Sequence, residues 1–183
     1  MRRLDFSSPD FAETFRAFLN ERRGSPADVD AAAAEVLEAV RTRGLDAVLD
    51  YSRKFDRADL TAQTIRVTAE EIEAGAAACA PEVREAIAFA AARIRAYHTR
   101  QRPADQRWTD EAGVELGWRW TPIEAVGVYV PGGRAAYPST VLMNCVPAQV
   151  AGVDRIAMVT PPGKLQPAVL AAAKEAGVSE IWR

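Results

Sequence analysis

The amino-acid sequence predicts an α/β fold in which a helical N-terminal segment precedes an incomplete parallel sheet of βαβαβ connectivity. Over the first hundred residues, apolar side chains recur at helical spacing. After Gly113 the apolar period changes to two, which is typical of a strand. From Ala125 onwards, short apolar runs alternate with helical patterns, and this alternation builds a parallel sheet with helices on its faces.

The N-terminal helices are predicted from their end signals. Ser8-Pro9 and Ser25-Pro26 each combine a hydroxyl that can cap a helix with a proline suited to its first turn. Gly44 stands where the second helix needs a C-terminal cap. Thr68 and Glu71 have the spacing of a capping box. These signals predict helices that begin after residues 8, 25 and 68.

A longer helix is predicted from Pro81 to about Arg100. Its apolar face consists of four residues at helical spacing, Val83, Ile87, Ile94 and Tyr97. A half-exposed strand is predicted next, from the alternating residues Val114, Leu116, Trp118 and Trp120. The two tryptophans share one face of that strand, which is more typical of core or interface than of a base-stacking platform.

The βαβαβ segment accounts for the remainder of the sequence. The predicted order is strand, helix, strand, helix, strand, at Ala125–Val130, Ser139–Val150, Arg155–Thr160, Gln166–Ala176 and Ser179–Arg183. Gly177 is expected to end the second of these helices. A parallel sheet normally has both faces covered, and only three parallel strands with no closing helix are found. The sequence therefore indicates part of a longer protein.

The loop after the first parallel strand is the strongest candidate site. It contains Gly132 and Gly133, but Ala136 stands where the dinucleotide fingerprint needs a third glycine. The next strand is followed by Thr160-Pro161 rather than by an acidic residue that could hold a ribose. A plain turn and a ligand-binding loop both remain open. Ligands of open α/β sheets bind outside the carboxyl ends of strands, which favours a site edge near Tyr129.

Composition and the remaining candidate residues exclude other classes. The 183 residues are 49% hydrophobic and 26% charged, with a net charge of -2, so neither nucleic acid nor a membrane surface is an expected partner. No signal peptide or membrane span is found, which favours a cytoplasmic protein. His98, the only histidine, is interpreted as structural, and no metal site is predicted. Cys79 and Cys145 are interpreted as buried apolar residues.

A group of arginines could suggest a nucleic-acid surface: Arg93, Arg95, Arg100, Arg102 and Arg107. Four carboxylates are interspersed nearby, at Glu82, Glu85, Asp105 and Asp110. Mixed charge of this kind favours a solvated helix face.

Several stretches closely resemble histidinol dehydrogenases. They are "VGVYVPGGRAAYPSTVLMNCVPAQVAGV", "VRTRGLDAVLDYSRKFD", "RIRAYHTRQRP" and "GVELGWRW", and the resemblance covers essentially the whole chain. It implies the N-terminal portion of a cytoplasmic homodimeric enzyme that contains zinc and has Rossmann-like domains. Such an enzyme oxidises L-histidinol through L-histidinal to L-histidine with two molecules of NAD, in histidine biosynthesis.

The resemblance also implies which residues belong to the site. Tyr129 matches the tyrosine of the family's YVPGG motif, which contacts NAD. The family's zinc ligands, its catalytic Glu-His pair and its other NAD contacts have no counterpart here, so no catalytic or metal residue is assigned and the chain is expected to be inactive alone. Arg134 and Tyr137 depart from the smaller or apolar residues common in the family loop, and Gly44-Leu45-Asp46 replaces a more usual Gly-Asp.

Three segments are predicted: an N-terminal helical arm at 1–24, a mostly helical part at 25–124 that ends in a strand, and the first part of a Rossmann-like nucleotide-binding domain at 125–183. Two other functions stay open. One is a paralogous zinc- and NAD-dependent dehydrogenase acting on another polyol or amino alcohol. The other is a non-catalytic binding or assembly module.

Overall fold

A computed structural model describes residues 3–22, 26–132, 136–163 and 165–183. The chain divides into two compact units, Met1–Tyr51 and Ser52–Arg183. The three-segment division of the sequence stays a prediction.

The first unit is helical, with α1 at Phe11–Arg22, α2 at Pro26–Arg43 and α3 at Leu45–Tyr51. Gly44 adopts a left-handed φ of 59° and donates its N–H to the Val40 carbonyl at 2.8 Å, which confirms its predicted role as a cap. Ser25 lies outside the described residues.

Helix α1 begins later in the structure than the signal at Ser8 predicts. Ser8 Oγ donates to the Asp10 carboxylate instead of accepting from the helix. The Asp10 carbonyl accepts the first helical hydrogen bond, from Thr14 N–H at 2.9 Å. Helix α1 therefore begins at Phe11, two residues after the start that Ser8-Pro9 predicts.

The second unit begins with a π-helical turn at Ser52–Asp56, and its described residues form four further helices. These are α4 at Ala69–Ala77, α5 at Pro81–Thr99, α6 at Pro138–Ala151 and α7 at Pro167–Glu175. The capping box at α4 is confirmed, since Glu71 N–H donates to Thr68 Oγ1 at 3.2 Å and Thr68 N–H donates to Glu71 Oε2 at 2.8 Å.

The main sheet has four strands, β1 at Arg66–Val67, β4 at Ala125–Tyr129, β5 at Arg155–Val159 and β6 at Glu180–Trp182. Their spatial order is β1-β6-β5-β4, with β4, β5 and β6 parallel and β1 antiparallel to β6. Helices α6 and α7 connect the parallel strands, which confirms the predicted βαβαβ connectivity. Strand β1 was not predicted, because two residues are too few to show a periodic pattern.

A separate antiparallel hairpin pairs β2 at Gln106–Thr109 with β3 at Glu115–Trp118. The sequence predicts β3 but not β2. Trp108 and Trp118 meet edge to face with ring centroids 5.2 Å apart. Trp118 and Trp120 are exposed, so the expectation that they belong to the core is wrong, while the interface alternative stays a prediction.

The core lies between one face of the sheet and helices α4 to α7. The strands contribute Val67, Val128, Ile156, Met158 and Ile181, and α6 contributes Val141, Leu142, Cys145 and Val146. On the predicted apolar face of α5, Ile87 is buried, whereas Tyr97 is 62% exposed. The predicted apolar face is therefore solvent-exposed at the C-terminal end of the helix.

Candidate nucleotide-binding site

Tyr129 is the last residue of β4, and its side chain is 63% exposed. The preceding and following residues, Val128 and Val130, are buried in the core. Because side chains alternate across a strand, Tyr129 points to the sheet face opposite helices α4 to α7. Within the described part of the chain, its hydroxyl has no hydrogen-bond partner. The ring and hydroxyl are therefore free to contact a ligand.

Tyr129 belongs to a row of side chains that crosses the whole sheet. The strand register places Tyr129 beside Val159, Val159 beside Trp182, and Trp182 beside Arg66. Val159 is 44% exposed, and the Arg66 guanidinium lies 5.6 Å from the centre of the Trp182 ring. The row offers aromatic and aliphatic surface at the β4 side and a cation at the β1 side.

Charged side chains on the same sheet face are held by Glu180. Its carboxylate accepts from Arg155 Nε at 2.5 Å and from Trp182 Nε1 at 3.1 Å, and Arg66 Nη2 lies 4.0 Å away. The hydrogen bond from Arg155 is the main cause that holds the pKa of Glu180 below its usual range. Glu180 is therefore ionised at neutral pH, and it fixes the Trp182 ring in the row.

A cavity of about 240 Å³ lies at the carboxyl ends of β4 and β5. It is lined by Pro131, Gly132, Ala136, Thr160, Pro161, Pro162, Gly163, Leu165, Gln166 and Val169. A Cβ at Gly132 would lie 3.4 Å from the Pro161 ring, which is ordinary van der Waals contact, so the two loops pack against each other at this point. The position matches the expected site edge, because ligands of open α/β sheets bind outside the carboxyl ends of strands.

The structure places only part of the predicted loop. Gly133, Arg134 and Ala135 lie outside the described residues. Tyr137 directly precedes α6, which begins at Pro138, one residue before the predicted start. Tyr129 does not line the cavity at the loop, although Pro131 does, two residues further along the chain. The site has two neighbouring parts, the exposed Tyr129 ring and the cavity at the strand ends.

His98 lies apart from these features, near the end of α5, with its ring 5.1 Å from that of Tyr97. It lines a larger cavity, of about 610 Å³, which sequence reasoning did not predict. Other lining residues are Arg102, Asp105, Trp120, Pro122 and Pro147. Because these residues are far apart in sequence, no local motif could have identified the cavity.

The arginine group makes contacts typical of a solvated surface. Arg95 Nη2 donates to Gln149 Oε1 at 2.6 Å, Arg107 pairs with Glu115 at 3.1 Å, and Arg93 lies over the Phe89 ring. These contacts occupy three of the cations that a phosphate backbone would need.

The remaining candidates for site chemistry are metal-ligating side chains and the two cysteine thiols. No group of three or more His, Cys, Asp and Glu side chains that could hold a metal occurs among the described residues. Cys79 and Cys145 are both buried and unpaired, as the sequence predicts. Burial raises the pKa of the Cys145 thiol to about 11, so this side chain is neutral at physiological pH.

None of the helices in the described ranges has the length and apolar character that crossing a bilayer requires.

These features define an α/β protein with an open, Rossmann-like parallel sheet and a candidate ligand site at the carboxyl ends of its strands. Residues 19–183 match the sequence model of the family described as histidinol dehydrogenase. The chain belongs to the histidinol dehydrogenase family.

Individual relatives agree with the family match. The histidinol dehydrogenase of Caulobacter vibrioides is 85% identical over the whole chain, and that of Bradyrhizobium diazoefficiens is 55% identical over 99% of it. The crystal structure of histidinol dehydrogenase from Elizabethkingia anophelis superimposes with a TM-score of 0.79 at 36% identity, covering 85% of this chain and 36% of that one. The chain spans 43% and 42% of the lengths of the two sequence relatives.

Proposed function

We propose that this chain forms part of an enzyme that oxidises L-histidinol through L-histidinal to L-histidine with NAD as the electron acceptor. The observation that carries the proposal is the family match over residues 19–183, together with 85% identity to a histidinol dehydrogenase. NAD, when bound, accepts a hydride in each of the two oxidation steps.

The residues of this chain fit one part of an NAD site. Tyr129 presents an exposed ring for packing and a hydroxyl for one hydrogen bond. Pro131 and Gly132, two and three residues further on, border the cavity at the strand ends, and the glycine adds no side chain to its lining. The proposed role of these groups is to bind and orient the dinucleotide.

Zinc does not fit the described residues, since they contain no group of three ligands. The proposal therefore assigns the zinc ligands, the proton-transferring residues and the L-histidinol contacts to the part of the family polypeptide outside the stretch matched here. A cytoplasmic homodimer belongs to the same proposal.

The test uses a full-length family polypeptide that contains this chain. NADH formation is measured with L-histidinol and, in parallel, with other amino alcohols and polyols at equal concentration. We expect L-histidinol to give the highest kcat/KM. A higher value for another alcohol would replace the proposal by a paralogous dehydrogenase, and no NADH with any substrate would favour a binding or assembly module.

A further inference from the structure

The larger cavity, of about 610 Å³, lies at the opposite end of the sheet from Tyr129. Pro122 lines it shortly before β4 begins, and Ala151 lines it at the last residue of α6, shortly before β5. The cavity is therefore at the amino ends of these two strands, and we call it the amino-end cavity. Its volume is within the range of about 300–1,000 Å³ that is typical of small-molecule sites.

Two opposite charges line the amino-end cavity without pairing. Arg102 and Asp105 are close in sequence, yet neither forms an ion pair with the other or with any further residue that the structure describes. Asp105 Oδ1 accepts the Trp120 N–H at 2.7 Å, which holds the carboxylate at the cavity and leaves its other oxygen free. An unpaired cation and an unpaired anion in one cavity are complementary to a ligand that carries both charges.

A flat aromatic wall borders the same cavity. Trp120 is 60% exposed, and in the described part of the chain no other ring or cation packs against it. Pro122 and Pro147 add apolar surface. His98, in the last turn of α5, and Gln101, just after that helix, add an imidazole and an amide that have no hydrogen-bond partner among the described residues. This lining suits a planar polar group that stacks on the indole and forms hydrogen bonds at its edge.

We propose that the amino-end cavity binds an α-amino acid with a planar polar side chain. The carboxylate of the ligand pairs with Arg102, its ammonium group pairs with the free oxygen of Asp105, and its side chain stacks on Trp120. Such binding goes beyond the proposed oxidation and does not depend on it. L-histidine is the probe, because it carries both charges and a planar polar ring.

The experiment measures protection from hydrogen exchange in a full-length family polypeptide that contains this chain, in the absence of NAD. A local readout is needed, because L-histidine is also the proposed product and has its own site in that reaction. The backbone N–H groups of Arg102 and Thr121 have no hydrogen-bond partner among the described residues. We expect L-histidine to slow exchange in segments 98–105 and 119–124, and the concentration that gives half of the effect measures the affinity of the cavity.

Two substitutions that remove charge identify which group of the ligand each residue contacts. Arg102→Gln should weaken binding at least about tenfold for L-histidine and for imidazolepropionate, which lacks the ammonium group, but not for histamine, which lacks the carboxylate. Asp105→Asn keeps an oxygen for the Trp120 N–H and should weaken L-histidine and histamine but not imidazolepropionate. Both side chains are exposed, so neither substitution removes core packing. Arg100→Gln is the matched control, because Arg100 is a neighbouring arginine that does not line the cavity.

Three results would overturn the proposal. The first is no protection by L-histidine up to about 10 mM, which is about tenfold above the usual upper limit for metabolite binding by enzymes. The second is slow exchange in both segments before any ligand is added, which would show that other parts of the polypeptide or a second copy fill the cavity. The third is equal affinity in wild type, Arg102→Gln and Asp105→Asn. None of these results involves NADH formation, so each is distinguishable from a failure of the proposed function.

Discussion

Gly75 in α4 lies directly against Leu170 in α7, so closely that a methyl group at Gly75 would overlap Leu170 Cδ1. Leu170 is 3% exposed and has little room to move. We expect Gly75→Ala to destabilise the second unit by about 1 kcal/mol, because an overpacking cost of about 1–3 kcal/mol exceeds the roughly 1 kcal/mol gained in helix propensity.

Urea unfolding measures this effect, and the Leu170→Ala background is the control. With Leu170 shortened, Gly75→Ala should become neutral or stabilising, because the overlap is gone while the propensity gain remains. The same loss of stability in both backgrounds would contradict the close contact.

The capping box at α4 predicts a loss of stability on substitution of Thr68. Thr68→Ala removes the Oγ1 acceptor of the Glu71 N–H and should cost about 1 kcal/mol of unfolding free energy. Thr68→Ser keeps the hydroxyl and is the matched control. Equal destabilisation by both variants would assign the effect to the lost methyl group instead of to the cap.

Glu180 predicts an acid-dependent component of stability. Because hydrogen bonding from Arg155 lowers the pKa of Glu180 in the folded chain, its contribution is present above the ordinary carboxyl pKa of 4.5 and is lost as pH falls through the lowered value. Glu180→Gln should therefore destabilise the protein at pH 7, and the difference from wild type should shrink in acid.

Thermal unfolding at several pH values tests this expectation. Glu115→Gln is the control, since the Arg107–Glu115 pair has side chains that are 79% and 62% exposed and is expected to contribute little. A wild-type advantage over Glu180→Gln that is independent of pH would contradict the ionic role.

The Cys145 thiol is expected to resist modification in the folded chain. Its pKa of about 11 leaves little thiolate at pH 8, and burial blocks access. Iodoacetamide labelling followed by peptide mass analysis should give slow modification under native conditions and rapid modification in denaturant. Equal rates in both conditions would show that the α6 region opens readily.

Tyr129→Ala in the full-length polypeptide should weaken NAD binding by about 1–3 kcal/mol through lost packing and one lost hydrogen bond. Tyr129→Phe keeps the ring and should lose only the hydrogen-bond part. Tyr97→Ala removes a similarly exposed tyrosine from α5 and should leave NAD affinity unchanged.

Calorimetric titration of NAD against the folded variants distinguishes a ligand contact from a structural role. If the Tyr129→Ala variant is less thermostable but binds NAD as tightly as wild type, Tyr129 supports the fold and does not contact the dinucleotide.

Much of the fold follows from local sequence signals. The caps at Gly44 and Thr68 were predicted correctly, because each depends on residues within one helical turn. The parallel strands were predicted because apolar runs bounded by proline and glycine are readable without tertiary information. Ser8 failed as a cap because its hydroxyl donates to the Asp10 carboxylate and the helix begins only at Phe11.

Tertiary pairing explains what the sequence did not predict. Strand β1 exists because Arg66 and Val67 pair with β6, and two residues carry no recognisable period. The alternation in β3 correctly predicted a strand, but not that the tryptophan face would be exposed. At the site, alternation alone does not say which sheet face the helices cover, so the row from Tyr129 to Arg66 became visible only in the structure.

The pairing of β1 with β6 also has a consequence for when the chain folds during its synthesis on the ribosome. Arg66 aligns with Trp182, and Arg183 N–H donates to the Ile65 carbonyl at 2.9 Å, so the contact joins residues more than one hundred positions apart. During translation, β1 has no partner until β6 has left the ribosome exit tunnel. Closing so long a loop is slow, and this favours folding of the sheet late in synthesis, after helices α4 and α5 can already form.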